Sequence, residues 1–188
     1  MQINIDKKTG TFLGIIAALI LAVVFLLAGN SSMPMNHSSH GSAMSSDEVM
    51  FAQMMIPHHS QAVTMSELAL KNTTDPVIRE LATAIRDAQA PEIELMKSWL
   101  GSDGTTMSHM HDMEMSGMLT EAQLEELASL KGSAFDQMFL VSMIAHHEGA
   151  LDMISMIKDS TKPEVKKLYD NILTSQSAEI EMMKALIK

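Results

Sequence analysis

The sequence predicts an all-α protein: an antiparallel four-helix bundle of two duplicated helical hairpins, preceded by an N-terminal transmembrane helix. Three observations carry that prediction. Apolar residues recur at helical spacing, and no strand signal appears anywhere. Met55-Ile-Pro-His58-His59, with Ala62 and Met65, recurs 88 positions later as Met143-Ile-Ala-His146-His147, with Ala150 and Met153. Gln89, Glu92-Ile93-Glu94 and Met96-Lys97 recur 87 positions later as Gln176, Glu179-Ile180-Glu181 and Met183-Lys184. One residue is lost in the intervening turn, and agreement on this scale marks an internal repeat.

Residues 1–30 are the first element. Asp6, Lys7 and Lys8 precede a charge-free run from Thr11 to Gly29 whose centre, Phe12 to Ala28, is 17 apolar or small residues. That length is the low edge for a spanning helix and slightly long for a signal-peptide core. Lysines on its N-terminal side keep the start cytoplasmic and export the rest. No A-x-A pattern follows, and Asn30 stands where a lipobox would need cysteine. The run therefore reads as an uncleaved membrane anchor in preference to a cleaved signal; cleavage would make the protein secreted or periplasmic. Either way the remainder is expected in the periplasm or extracellular space.

Residues 31–45 read SSMPMNHSSHGSAMS, a Ser-rich flexible tether carrying Met33, Met35, His37, His40 and Met44. The bundle follows over 46–188. Its first unit is 46–101. Ser45 with Glu48 is a capping box that opens a helix to about Lys71, and Asp75-Pro76 opens a second that stops at Gly101. A connector spans 102–119. In the second unit, 120–188, Thr120 with Gln123 caps a preliminary helix that breaks near Gly132. The helix carrying the second His pair runs from there to about Lys158. Thr161 with Glu164, enclosing Pro163, opens the last. Two such hairpins close most simply as a four-helix bundle.

Composition removes several classes of function. There is no cysteine among 188 residues, which excludes disulfide scaffolds, thiolate zinc, iron–sulfur and blue-copper sites. Aromatics are 4% and the net charge is −10, so base-stacking platforms and phosphate backbones are poor partners and no nucleic acid is expected. The abnormal number is 20 methionines.

Positions i and i+4, or i and i+7, share a helix face. Met55 and His59 are so related, as are His58 and Met65, Met143 and His147, and His146 and Met153. In the partner helices Gln89, Glu92 and Met96 form a stripe, repeated by Gln176, Glu179 and Met183. A single helical Met ordinarily fills a core gap, and a lone buried His is ordinarily a hydrogen-bonded core residue. The joint pattern, twice over, points instead to ligands. Adjacent histidines diverge by about 100° on a helix of 3.6 residues per turn. One of each pair is thus expected to face inward and the other to lie near an interface or edge. Gln89 and Glu92 either steady a His ring by hydrogen bonds or sit on exposed surface. Pro57 stands where it should kink the first helix, with Ala145 at the matching position.

The connector carries Met107, His109, Met110, His111, Met113, Met115 and Met118 among Gly, Ser, Thr and Asp. A loop has no core to fill, so a solvated thioether there gains nothing from the hydrophobic effect. It does suit a soft ion: thioether sulfur selects Cu(I) and the similar Ag(I), and imidazole accepts Cu(I) or Cu(II). A sacrificial oxidant sink is the competing explanation, and it leaves the interspersed histidines unexplained.

The paired signature MMIPHHSQAVTM with QAPEIELMKSWL, and its echo SMIAHHEGALDM with QSAEIEMMK, resembles the domain-of-unknown-function family 305 over roughly residues 46–188. The resemblance implies a ferritin-like helical bundle and an extracytoplasmic protein that binds copper and silver in metal tolerance. Carried over by position, it points to Met55, His58, His59, Met65 and Met96, and to Met143, His146, His147, Met153 and Met183. Ser142 opposite Met54 departs from the repeat, so unequal halves are expected.

The expected function is therefore a binding protein for Cu(I) and Ag(I), with Cu(II) also accessible, acting in sequestration, handover or resistance. Its expected partners are soft metal ions, the membrane through its N-terminal helix, and a metal-transport or efflux protein. An envelope scaffold or chaperone with an adaptable Met-rich surface is the alternative. A ferritin-like metal oxidase is the weaker one, because its di-iron sites need Glu-x-x-His and no glutamate here has His three residues later. No enzymatic activity is expected.

Overall fold

The computed structural model describes residues 43–100 and 115–187. The expected N-terminal span, nearly all of the tether, and Met107, His109, Met110, His111 and Met113 lie outside the described residues. Within them every regular element is helical: α1 (Ser46–Asn72), α2 (Pro76–Leu100), α3 (Glu121–Ser129), α4 (Gly132–Met153), a 3-10 turn (Ile154–Ile157) and α5 (Pro163–Leu186). No helix among the described residues is long and apolar enough to cross a membrane.

The start signals behave as local chemistry requires, with one exception. Ser45 and Glu48 exchange reciprocal side-chain bonds at the head of α1, as do Thr120 and Gln123 at the head of α3. Asp75 Oδ1 accepts from the amides of Val77 and Ile78, satisfying two donors at the head of α2. The exception is α5, which begins at Pro163 behind Lys162 with no side-chain cap, so Thr161 does not play the predicted role. The neighbouring hydroxyl is diverted to tertiary work: Ser160 Oγ accepts from the Lys162 amide and donates to Glu48 Oε1 at 2.6 Å. Through Pro57, α1 continues without a break.

Those long-range bonds set the topology. Glu48, at the start of α1, also takes Lys162 Nζ at 2.6 Å, just past the end of the 3-10 turn that follows α4. At the other end of α1, Asn72 Nδ2 donates to the Ala128 carbonyl at 3.1 Å and its Oδ1 accepts from Lys131, immediately before α4. The two His-bearing helices therefore run antiparallel, each with its own hairpin partner. Burial alone would raise the Glu48 carboxyl, but bonds from Lys162, Ser160 and Ser45 outweigh it and lower its pKa to about 2.

Apolar packing falls into two clusters. One gathers Ala62, Met65 and Ala69 of α1 with Ile78, Leu81 and Ile85 of α2, Phe135, Phe139 and Met143 of α4, and Ile180 and Met183 of α5. The other gathers Phe51, Ala52 and Met55 of α1 with Met96 of α2, Ala150 and Met153 of α4, and Leu168 and Ile172 of α5. On all four long helices, polar residues lie between the clusters, with Ile93 of α2 buried beside them: His58 and His59, Gln89 and Glu92, His146 and His147, Gln176 and Glu179. A polar layer cuts the bundle at its middle.

Candidate metal centre

All four histidines of the layer are buried, none more than 1% exposed. One histidine of each pair is expected to face inward and the other to lie near an interface or edge, and of those two places the structure gives the interface. The divergence along the helix is real, but each of the two directions ends in a helix–helix interface. One ring of each pair faces across the α1–α4 seam, where His58 and His146 lie with centroids 3.8 Å apart and planes inclined by 35°. The other faces its hairpin partner. His59 Nε2 meets Glu92 Oε2 at 2.9 Å, and His147 Nε2 meets Glu179 Oε2 at 2.7 Å. Gln89 and Gln176 are each 2% exposed, so the surface alternative for Gln89 is excluded. Glu92 belongs with the histidine it holds.

The hydrogen bonds also assign protons. A carboxylate or carbonyl oxygen only accepts, so the ring nitrogen facing it donates. His59 and His147 donate through Nε2 to the two glutamates. His58 Nε2 donates to the Ser116 carbonyl at 3.3 Å, and His146 Nε2 to the His58 carbonyl at 3.0 Å. In every case Nε2 is committed and Nδ1 is left over, and all four Nδ1 atoms are buried without a hydrogen-bond partner. Burial lowers the His58 pKa to about 3, with repulsion from His59 and His147 adding to it and the Ser116 bond opposing. Burial, then repulsion from the other three histidines, takes His146 well below its usual value. Those two rings are neutral at pH 7, so their Nδ1 atoms carry bare lone pairs. An imidazole steadied through one nitrogen and open at the other is the form in which histidine ligates metals.

Among the described residues no three His, Asp or Glu side chains are grouped so as to hold one ion. The donors available to complete a site beside these imidazoles are thioethers. Met55, Met65, Met96, Met143 and Met183 are fully buried and Met153 is 8% exposed. Their grouping differs from the one the repeats suggest. Met65 joins Met143, Met182 and Met183 of the other hairpin, while Met153 joins Met55 and Met96, so each cluster beside the histidine layer draws its buried methionines from both units. Antiparallel packing of α1 on α4 forces this exchange. Met115 and Met118, expected in water, are half-buried, as is Met44, which packs on the second cluster. For these three the argument from solvated sulfur weakens.

The turn that leads into the second unit was not foreseen as part of this layer. The Met118 amide bonds the Met115 carbonyl at 3.2 Å, and Gly117 at its third position has φ of 80°, as a type II turn demands. The Ser-Gly pair at 116–117 was a legible turn signal, but nothing local says where a turn docks.

Comparison with known proteins places these features in a family. A family model described as a domain of unknown function, DUF305, matches residues 48–187. Over 54 residues the chain is 46% identical to the uncharacterized protein L153 of Acanthamoeba polyphaga mimivirus, a match covering 29% of this chain and only 36% of that protein. The crystal structure of a DUF305 protein from Streptomyces coelicolor, described as a candidate secreted protein, is 33% identical, with a TM-score of 0.66 over 75% of this chain and 91% of that one. CopM in its Cu(II)-bound form is 36% identical, with a TM-score of 0.64 over 74% of this chain and 94% of that one. CopM has also been solved in Cu(I)-bound and Ag-bound forms, at TM-scores of 0.62 and 0.60. With both hairpins and the whole histidine layer inside the matched residues, this chain belongs to the DUF305 family.

Proposed function

We propose that this protein binds Cu(I) and Ag(I), and Cu(II) through imidazole, outside the cytoplasm, and that it acts by sequestering or handing over the ion, not by catalysis. The observation that carries this reading is the set of four buried imidazoles whose Nδ1 atoms have no protein partner, in a layer bordered on both sides by buried thioethers. A polar layer through a bundle costs stability unless its groups are satisfied, and a soft ion bound by imidazole and sulfur would satisfy it. The similarity to CopM, solved with copper and silver, supports the same chemistry. In this reading His58, His59, His146 and His147 are the imidazole donors. The bordering Met55, Met65, Met96, Met143, Met153 and Met183 are the bundle thioethers. Met107, His109, Met110, His111, Met113, Met115 and Met118 add further sites in the connector. The apolar run of residues 1–30 anchors the protein, and a transport or efflux protein receives the ion.

Anaerobic titration with Ag(I) followed by native mass spectrometry tests it. Two variant sets separate the sites: His58, His59, His146 and His147 to Gln, and the connector methionines to Leu. The first set should lose the bundle-bound ions and the second the connector-bound ions. Uptake unchanged in both would end the proposal. Removing an acceptor that steadies a ligating ring has a smaller, defined effect. Glu179→Leu should weaken Ag(I) binding about 10–100-fold, measured by competition with a chromophoric chelator, while far-UV circular dichroism stays unchanged.

A further inference from the structure

The two halves of the layer are not held alike. His146 finds its acceptor on α1, at the His58 carbonyl. Two-fold symmetry would give His58 the carbonyl of His146, but it bonds Ser116 instead, and Ser116 belongs to neither histidine helix. We infer that the turn Met115–Leu119 is a positioning clamp for His58: it supplies the acceptor that keeps His58 Nδ1 unprotonated and thereby makes the two repeat sites unequal.

One pair of repeat-related positions holds the turn in place. At the 88-residue offset Gly149 corresponds to Gln61, and both serve the turn. Gly149 gives it a seat: a Cβ there would come within 2.0 Å of the Ser116 carbonyl oxygen and 2.7 Å of its carbon. Those are backbone atoms, so any side chain at 149 must push the turn off α4. Gln61 gives it a clasp, donating Nε2 to the Leu119 carbonyl at 2.9 Å and accepting the Leu119 amide at 2.7 Å. Gly117 completes the approach, since a Cβ there would lie 2.1 Å from the Ala145 carbonyl oxygen. The turn thus lies backbone-to-backbone on α4, one residue from His146, while its Ser116 carbonyl reaches His58 across the seam. No comparable segment is needed on the His146 side, where helix α1 itself provides the acceptor.

The inference rests on the metal-binding reading for its consequence and not for its geometry, and two measurements keep them apart. In metal-free protein labelled with 15N, long-range 1H–15N correlation spectra report the tautomer of each histidine. Wild type should show His58 and His146 protonated at Nε2 only. Gly149→Ala displaces the seat while giving α4 a better helix former, and Gln61→Leu opens the clasp without touching the seat. Both should convert His58 to a mixture of tautomers and leave His147 unchanged. On adding Ag(I), the His58 resonance should then shift with a midpoint about tenfold weaker than in wild type, with the His147 midpoint unmoved. Retention of the single Nε2–H tautomer at His58 in both variants, with displaced Leu119 amide resonances proving that the turn has moved, overturns the clamp. If no histidine in wild type responds to Ag(I), the metal reading fails, and the tautomer result still decides the clamp.

Discussion

Acidification destabilises the metal-free protein well before ordinary carboxylates titrate. Burial, reinforced by His59 and His147, holds the His58 pKa at about 3 against the Ser116 bond, and His146 is likewise pushed well down by burial and its histidine neighbours. In the unfolded chain both rings take up a proton near pH 6.5. Below that pH the unfolded state binds more protons than the folded one, so stability is full above it and falls as the pH falls. Each ring kept neutral by the fold steepens the loss by about 1.4 kcal/mol per pH unit. His58 alone removes about 2 kcal/mol between pH 6.5 and 4.5, and His146 adds its own share. Glu48 acts in the same direction but lower down: its contribution is full above pH 4.5 and is lost as the pH approaches about 2. Against a total of about 5–15 kcal/mol for a domain, this is a large fraction. Urea midpoints read by circular dichroism should therefore fall steadily from pH 7 to 4.5. A midpoint that stays level between pH 7 and 5 would show that the rings are charged within the fold. Saturating Ag(I) should raise every midpoint while leaving the slope in place, because the folded rings bind no proton in this range for the ion to displace and the slope comes from protonation of the unfolded chain.

Met143→Ala should cost about 2–5 kcal/mol, the range for emptying a fully packed core position. The residue is 0% exposed within the cluster that holds Phe135 and Phe139. Met143→Leu should cost less than about 1.5 kcal/mol, since volume and polarity are nearly conserved. The pair of variants separates two roles that burial superimposes. If Met143 only packs, the Leu variant retains wild-type Ag(I) uptake. If its sulfur is a donor, the Leu variant folds normally and loses affinity. Calorimetric melting with parallel Ag(I) competition decides the matter, and the same test applies to its repeat partner Met55.

Helix positions, the duplication and the His–Met faces were legible because each depends on neighbours within one or two turns. Ser45–Glu48 and Thr120–Gln123 cap where a local hydrogen-bond pattern says they should. Thr161 does not follow the same rule: α5 starts at Pro163 behind an uncapped Lys162, and Ser160 and Lys162 on either side of Thr161 are both bonded to Glu48, 112 and 114 residues away. Gln89 and Glu92 were ambiguous in sequence, since a polar residue on a helix reads alike whether it faces water or a buried ring.

The sequence by itself determined that this is a duplicated helical protein with histidine doublets between methionines, because periods of 3.6 residues and repeat offsets are written in the chain. The tertiary structure decided which of these residues meet. Only antiparallel packing of α1 on α4 brings His58 to His146 across 88 positions and exchanges Met65 and Met153 between the hairpins. Only the docked turn gives His58 its acceptor. The reason is physical: local propensity fixes which face a side chain occupies, whereas its neighbour across an interface is set by long-range contacts that no single segment encodes.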